Sequence, residues 1–170
     1  MVLLFFPVIY GCDALYRVLD KEGAEEKQLI GEVVPFEPNA TIEEIQQLLS
    51  LYGFNPGPAD GQLGLRTRNA IERFQQENGL KETRFVDQAT WERLKQFKDN
   101  QFVVDNHLNI AAIQSALKAA GYSLGKIDGK LGKKTKQAVL DFQKANGLKV
   151  DGKVGYHTLS KLSAYVPAME

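Results

Sequence analysis

The chain consists largely of one sequence unit that occurs twice. Residues 45–94 recur as residues 113–162 without a gap, and Asp60 corresponds to Asp128 at an offset of 68 positions. Further matched pairs include Gln46/Gln114, Leu49/Leu117, Gly53/Gly121, Thr67/Thr135, Ala70/Ala138, Phe74/Phe142, Gln75/Gln143 and Val86/Val154. Because these positions combine apolar periodicity with fixed glycines, the same three-dimensional unit is expected twice.

The helical pattern of each unit predicts three helices. Thr41 and Glu44 form a capping-box pattern ahead of apolar residues spaced by three and four, and that stripe ends at Gly53. Two further helices are predicted in the first unit from Leu65 and from near Asp87. The second unit repeats this order, and strand signals are weak in both. We therefore predict an all-α protein with two tandem three-helix bundles, at residues 41–97 and 109–166, joined by a linker at residues 98–108.

The N-terminal residues form a short apolar run that ends in Cys12. Residues 1–12 are too short for a spanning helix and have the length of an export-signal core. Residues 9–12, Ile-Tyr-Gly-Cys, resemble the lipobox of bacterial lipoproteins, in which the cysteine is lipidated. A buried apolar strand is the alternative. The acidic residues 13–40 lack sustained helical periodicity, so they are expected to form a tether in an irregular N-terminal segment.

Charge differs between the two units, although the net charge of the chain is +0. Residues 41–97 carry seven basic and eight acidic side chains, whereas residues 98–170 carry eleven lysines and six acids. A lysine-rich surface attracts anionic polymers, although a solvated lysine face is the alternative interpretation. No arginine follows Arg93, which argues against bidentate recognition of nucleic acid.

A glycine-containing turn lies between the first two helices of each unit. The sequence is Asp-Gly-Gln-Leu-Gly at residues 60–64 and Asp-Gly-Lys-Leu-Gly at residues 128–132. An aspartate at such a turn accepts backbone hydrogen bonds, glycines permit positive φ, and the leucine is expected to fill the core. The residues with this structural role are Asp60, Gly61, Gly64, Asp128, Gly129 and Gly132.

The duplicated string resembles the peptidoglycan-binding domain that accompanies many bacterial wall hydrolases and transpeptidases. The resemblance rests on Asp-Gly-x-x-Gly followed by x-Thr, Phe-Gln and Asn-Gly-Leu at constant spacing, twice, and it covers about residues 41–97 and 109–166. It implies a three-helix domain that binds cell-wall polymer noncovalently in the bacterial envelope. A protein-interaction module of the envelope, or a regulatory subunit of a cell-wall hydrolase, is the alternative.

The two units differ in the loop before the third helix. Residues 81–87 of the first unit lack the Asp-Gly pair that the second unit has at Asp151 and Gly152. This difference puts the turn geometry of the first unit in doubt and makes the second unit the better candidate for binding. The candidate ligand contacts are Lys130, Lys133, Lys134, Tyr156 and His157, with Gln62, Arg66 and Arg68 in the first unit. The alternatives are that the lysines are solubilising surface charges, that Tyr156 completes a core, and that His157 is a partly exposed histidine without a role.

No catalytic, metal or cofactor site is predicted. Cys12 lies in the signal-like segment, away from any folded site for a cysteine nucleophile. The two histidines, His107 and His157, are too few for the ligand set of a zinc amidase. The resemblance and the lipobox-like segment together predict the partners of the chain. These are peptidoglycan, a cell-wall enzyme as a further candidate, and a membrane through a lipid anchor at Cys12.

Overall fold

The structure, a computed structural model, describes residues 39–166, which form six α-helices, one short β-hairpin and a terminal 3-10 turn. The elements, in chain order, are α1 (Ala40–Tyr52), α2 (Leu65–Glu77), α3 (Gln88–Asp99), β1 (Val103–Val104), β2 (His107–Leu108), α4 (Ile110–Ala119), α5 (Lys133–Ala145), α6 (Tyr156–Leu162) and the 3-10 turn Ser163–Tyr165. We call residues 41–97 repeat 1 and residues 109–166 repeat 2. The predicted fold class, all-α with two tandem three-helix bundles, is confirmed.

The start of α1 differs from the sequence prediction. The side chain of Asn39 caps the helix by accepting hydrogen bonds from the amides of Thr41, at 3.0 Å, and Ile42, at 3.1 Å. Asn39 does so because its short carboxamide reaches the unpaired amides of the first turn. The predicted cap at Thr41 is therefore wrong by two positions. Glu44, the predicted second member of the capping box, forms an ion pair with Lys98 instead.

Each helix buries the face that its apolar spacing predicts. In repeat 1, Leu48 and Leu49 of α1 pack with Ile71 and Phe74 of α2 and Leu94 of α3, and all five are fully buried or nearly so. The equivalent core of repeat 2 consists of Ala116, Leu117, Val139, Phe142 and Leu162. The left-handed conformation of Gly53, φ 94°, allows α1 to end there, because a residue with a Cβ is disfavoured in that region.

The segment between the repeats is packed against them. Helix α3 continues to Asp99, beyond the predicted bundle boundary, and Phe102 and Val103 are buried. The hairpin then pairs Val103 with Leu108 in antiparallel register. Buried apolar side chains resist the motion expected of a flexible tether, so the two repeats are held in one compact unit.

Two sequence predictions concern residues that lie outside the described part of the chain. They are the lipobox-like segment with Cys12 at residues 1–12 and most of the tether at residues 13–40. Within residues 39–166, no helix has the combination of length and apolar character that crossing a membrane requires.

Candidate functional site

A buried glutamine supports the Asp-Gly turn of each repeat. In repeat 2, Gln114 Nε2 donates to Asp128 Oδ1 at 2.9 Å, to the Lys130 carbonyl at 3.1 Å and to Thr135 Oγ1 at 3.0 Å. Its Oε1 accepts from the amides of Asp128, at 3.0 Å, and Gly129, at 2.9 Å. Gln114 is 1% exposed, so these bonds are shielded from competing water. The turn is therefore fixed from beneath by one side chain.

Repeat 1 has the same arrangement. Gln46 Nε2 donates to Asp60 Oδ1 and to the Gln62 carbonyl, both at 2.9 Å, and Gln46 Oε1 accepts from the Gly61 amide at 2.9 Å. Gln46 and Gln114 are a matched pair in the sequence, so the signal was present, although their role was missed. The prediction that the turn leucine fills the core differs in outcome between the repeats. Leu63 of repeat 1 is partly buried against the core, whereas Leu131 of repeat 2 is 43% exposed.

A second glutamine in each repeat supports the loop before the third helix. Gln143 Nε2 donates to the Lys153 carbonyl at 2.8 Å, and Gln143 Oε1 accepts from the Gly152 amide at 2.9 Å. In repeat 1, Gln75 makes the equivalent bonds to the Phe85 carbonyl and to the amide of Arg84.

The turn of repeat 1 keeps this geometry without the Asp-Gly pair. Thr83 takes the aspartate position, and its hydroxyl accepts from Gln75 Nε2 at 2.9 Å. Arg84 takes the glycine position with φ 63°. A non-glycine residue in that region carries a conformational cost, which the two hydrogen bonds from Thr83 and Arg84 amides to Gln75 Oε1 offset. The doubt about the geometry of this turn is thus removed.

Hydrogen bonds lower the pKa of the turn aspartates. The Gln114 carboxamide, and next the Lys130 amide, lower the pKa of Asp128 below its usual value. The Gln46 carboxamide and the Gln62 amide do the same for Asp60. In the loops before the third helices, the Thr90 hydroxyl lowers the pKa of Asp87 and the Lys153 amide lowers that of Asp151. Each cause favours the ionised carboxylate.

These shifts predict a loss of stability in acid. Since the native pKa of Asp128 lies below the unfolded value of about 3.9, its stabilising effect is complete above that pH and is lost as the pH falls through the native pKa. Asp128→Asn keeps an oxygen acceptor but does not titrate. We expect the melting temperature of this variant to fall less between pH 5 and pH 2 than that of the wild type. A thermal denaturation series by circular dichroism measures both slopes, and equal slopes would contradict the prediction.

The structure places three predicted contacts of repeat 2 on one exposed surface. Lys130 lies in the Asp-Gly turn, and Lys133 and Lys134 begin α5. Ile127 and Leu131 are 45% and 43% exposed beside them in the chain. We call residues 126–134 the basic turn. Its backbone is held by Gln114, whereas its cationic and apolar side chains are open to solvent.

The corresponding surface of repeat 1 is less available. Gln62 and Arg66 are exposed. Arg68, in contrast, donates from Nε to the Leu63 carbonyl at 3.1 Å, and its guanidinium lies 4.6 Å from the centre of the Phe85 ring. Those contacts engage Arg68 within the repeat, which makes it a less accessible cation than the lysines of the basic turn.

The other two predicted contacts lie where the repeats meet. Tyr156, which begins α6, is 5% exposed. Its ring lies against Tyr52, Phe54, Phe74 and Phe97 of repeat 1, with centroid distances of 5.7, 6.2, 5.3 and 5.3 Å. Such burial leaves the ring little surface for a ligand and supports the alternative, that Tyr156 completes a core.

Polar contacts of the same helix join the repeats. Gln96 Nε2 donates to the Tyr156 hydroxyl at 2.9 Å, and this hydroxyl is also hydrogen-bonded to Asn78. His157 is exposed, and its Nε2 lies 2.9 Å from Glu77 Oε2. His157 is therefore engaged with repeat 1 and is separated from the basic turn by most of α5 and the following loop.

A groove runs along this junction and has a volume of about 600 Å³. Repeat 1 contributes Phe54, Arg73 and Glu77, and repeat 2 contributes Lys149, Lys153 and His157. We call it the junction groove. Among the residues that the structure describes, no group of three or more histidine, cysteine or acidic side chains is arranged to hold a metal ion.

Two segments of the chain, residues 38–94 and 106–162, match the family described as "Putative peptidoglycan binding domain". The chain belongs to this family. It therefore carries two peptidoglycan-binding domains in tandem, as the resemblance in the sequence indicated. The buried glutamines and the turns that they hold are the framework of these domains, and the basic turn and the junction groove are features of their surface.

One curated protein with a similar sequence is an amidase. The chain is similar to the N-acetylmuramoyl-L-alanine amidase CwlM of Mycobacterium tuberculosis (strain ATCC 25618 / H37Rv), with 31% identity over 102 residues. The match covers 55% of this chain and 25% of the amidase, so the chain spans about a quarter of that relative's length. No solved structure matches the chain significantly.

Proposed function

We propose that the two domains hold bacterial peptidoglycan noncovalently, without a catalytic step, and that the basic turn of repeat 2 makes the main contact. The observation that carries this proposal is the exposure of Lys130, Lys133 and Lys134 on a turn that Gln114 holds rigid. A rigid site loses less conformational entropy when a polymer binds. The carboxylates of stem peptides and acidic wall polymers would be attracted to these lysines.

Repeat 1 contributes a second, weaker contact in this proposal. Gln62 and Arg66 are its exposed equivalents of Lys130 and Lys134, and the half-buried Arg68 donates to the carbonyl of Leu63 in the same turn. Two weak contacts on one polymer gain avidity when their geometry allows both to bind together. The compact packing of the repeats fixes the separation of the two contacts, which favours that outcome on a regular polymer.

Co-sedimentation with purified sacculi tests the proposal. The full chain should pellet with sacculi stripped of accessory polymers, and moderate salt should weaken this binding only in part. Replacing Lys130, Lys133 and Lys134 by alanine should reduce the affinity about tenfold, because each exposed charge contact contributes up to about 1 kcal/mol. The matched control replaces three other exposed lysines of repeat 2, Lys118, Lys144 and Lys161.

The outcomes separate specific binding from simple charge attraction. Equal losses in the two triple variants would mean that net charge alone drives pelleting. A wild-type chain that stays in the supernatant at low salt would overturn the proposal and favour a protein-interaction module.

A cell-wall enzyme is a second candidate partner, and the amidase relative is the observation that favours it. Under this second hypothesis, the chain acts as a regulatory subunit that brings a hydrolase to the wall or restrains it there. Affinity for a purified amidase, in the absence of wall polymer, would support it.

The proposed location is the bacterial cell envelope, since peptidoglycan is found there. A lipid anchor at Cys12 would attach the chain to a membrane through residues 13–40. The measurement is the intact mass of the mature protein from a bacterial host, compared with that of Cys12→Ser. A mass increase that corresponds to acylation, absent in the variant, is the expected result.

A further inference from the structure

Two of the three cationic side chains that line the junction groove are Arg73 of repeat 1 and Lys153 of repeat 2, and the charge of Lys153 acts on Asp151 of its own loop. Arg73 of α2 is exposed and lies near the Phe54 ring, 6.0 Å from its centre, and Lys153 is exposed near the end of the loop between α5 and α6. No ion pair within residues 39–166 involves either of them. They approach the groove from different repeats, so an anion in the groove would meet positive charge on both walls.

The acidic side chains of the groove are already engaged. Glu77 is bound to His157 Nε2 at 2.9 Å. Asp151 accepts from the Lys153 amide at 2.9 Å and from Gln143 Nε2 at 3.3 Å, and Lys149 Nζ lies 3.7 Å from its other oxygen. Hydrogen bonds stabilise the charge of a carboxylate without neutralising it. The groove lining has three cationic side chains, Arg73, Lys149 and Lys153, and two carboxylates, Glu77 and Asp151, which gives a formal charge of +1 with His157 counted as neutral.

Three residues of repeat 2 in the junction groove differ in kind from their equivalents in repeat 1. At the offset of 68, Tyr156 replaces Gln88, His157 replaces Ala89 and Lys153 replaces Phe85. Tyr156 packs its aromatic ring against repeat 1, and Lys153 and His157 line the cleft beside it. A single family domain has no such cleft, because both walls are needed. Its volume of about 600 Å³ is within the range of small-ligand sites.

We propose that the junction groove binds a carboxylate-bearing segment of the peptidoglycan stem peptide, held between Arg73 of repeat 1 and Lys153 of repeat 2. The inference rests on the proposed function, since it assigns part of the same polymer to a second site. A planar guanidinium pairs with a carboxylate through two parallel hydrogen bonds, and an ammonium adds a point charge on the opposite wall. An open groove accommodates an extended peptide, whereas a closed cavity does not let the chain continue at both ends.

The test uses the full chain and soluble muropeptides released from sacculi by a muramidase. Binding is followed by nuclear magnetic resonance titration. We expect the largest shifts at the amides of residues 147–157 and at Arg73. The double variant Arg73→Gln/Lys153→Gln should weaken muropeptide binding about tenfold, as expected when two charge contacts are lost. Glutamine keeps the length of the side chains and leaves the aromatic junction in place.

A charge-matched control replaces Lys118 and Lys144, which are exposed on repeat 2 outside the groove, by glutamine. This variant should bind as tightly as the wild type. A second probe is the same muropeptide with its carboxylates amidated, which should bind the wild type as weakly as the intact muropeptide binds the groove variant. A neutral N-acetylglucosamine oligomer should cause no shifts in residues 147–157.

Each result decides one of the two proposals. Sacculus binding by the wild type, with equal muropeptide affinity in the wild type and the groove variant, overturns the groove assignment and leaves the proposed function intact. Absence of binding to sacculi overturns the proposed function itself. Shifts caused by the neutral oligomer in the groove would overturn the carboxylate assignment, because the site would then recognise sugar.

Discussion

Gln114→Glu is expected to lower the free energy of unfolding by about 3 kcal/mol. The substitution changes one atom group without creating a cavity, so the loss reports the lost hydrogen bonds and the buried charge, with little change in packing. In the wild type, Gln114 Nε2 donates to Asp128 Oδ1 at 2.9 Å and to the Lys130 carbonyl at 3.1 Å. An oxygen in its place would face two acceptors and bring a second carboxylate next to Asp128.

The buried surroundings of residue 114 do little to reduce the repulsion between the introduced carboxylate and these acceptor oxygens. Gln114 is 1% exposed, so water cannot replace the lost donors without opening the turn. Protonation of the introduced glutamate would restore one donor, which predicts that the variant regains part of its stability as the pH falls from 7 to 5. Acid loss at the turn aspartates sets in only at lower pH, so the two effects can be separated.

The matched control is Gln137→Glu. Gln137 Nε2 also donates to an aspartate, Asp141 Oδ1 at 3.0 Å, but on the exposed face of α5. Solvent screens the introduced repulsion there, and the expected change is within about 0.5 kcal/mol. Urea denaturation of the two variants and the wild type gives both values. A loss at Gln114 no larger than that at Gln137 would contradict the supporting role of the buried glutamine.

Gln114→Glu should also weaken binding to the cell wall. Because the basic turn takes its backbone position from Gln114, the variant is expected to bind sacculi more weakly even under conditions in which it remains folded. The wall-binding assay at 4 °C, with circular dichroism as a check on folding, measures this effect.

Most of the fold could be predicted from local patterns. Apolar residues three and four apart fix which side of a helix is buried, and glycines in the left-handed region mark where α1 and the turns change direction. The error at Thr41 shows the limit of such rules. Asn39 and Thr41 both suit a helix start, and the amide of Asn39 donates to the Gly61 carbonyl at 3.3 Å, a contact that the local pattern does not show.

The candidate site could be predicted less well, because its geometry depends on contacts distant in sequence. The lysines of the basic turn follow from local sequence, since a turn of this kind leaves them at the surface. The burial of Tyr156 does not, because its ring contacts residues 52–97 of the other repeat. The difference between Tyr156 and Gln88 was the available signal, since a change from polar to aromatic at equivalent positions indicates a new contact.

Tyr156→Ala is expected to destabilise the junction by about 3–5 kcal/mol, which is typical of removing a buried aromatic ring. The ring has edge or tilted contacts with four aromatic side chains of repeat 1, and its hydroxyl is bonded to Gln96 and Asn78. Because Tyr156 is the central aromatic contact between the repeats, its loss should reduce the cooperativity between them as well as the stability of the chain.

The sequence offers a built-in reporter for that uncoupling. Trp91, the one tryptophan of the chain, lies in α3 of repeat 1, whereas far-ultraviolet circular dichroism reports the helices of both repeats. In the wild type, the two signals should follow one urea transition. In Tyr156→Ala, they should separate into two transitions, because each repeat then unfolds against its own core alone.

Two control variants test whether separation of the two unfolding transitions is specific to loss of the Tyr156 ring. Tyr156→Phe keeps the ring and removes only the hydroxyl, so it should cost about 1 kcal/mol and leave the transitions together. Tyr165→Ala removes a tyrosine that is 38% exposed, with its ring 6.2 Å from Phe142 of its own repeat, and should lower stability without separating the transitions. Coincident transitions in Tyr156→Ala would show that Phe102, Val103 and the hairpin hold the repeats together without the ring.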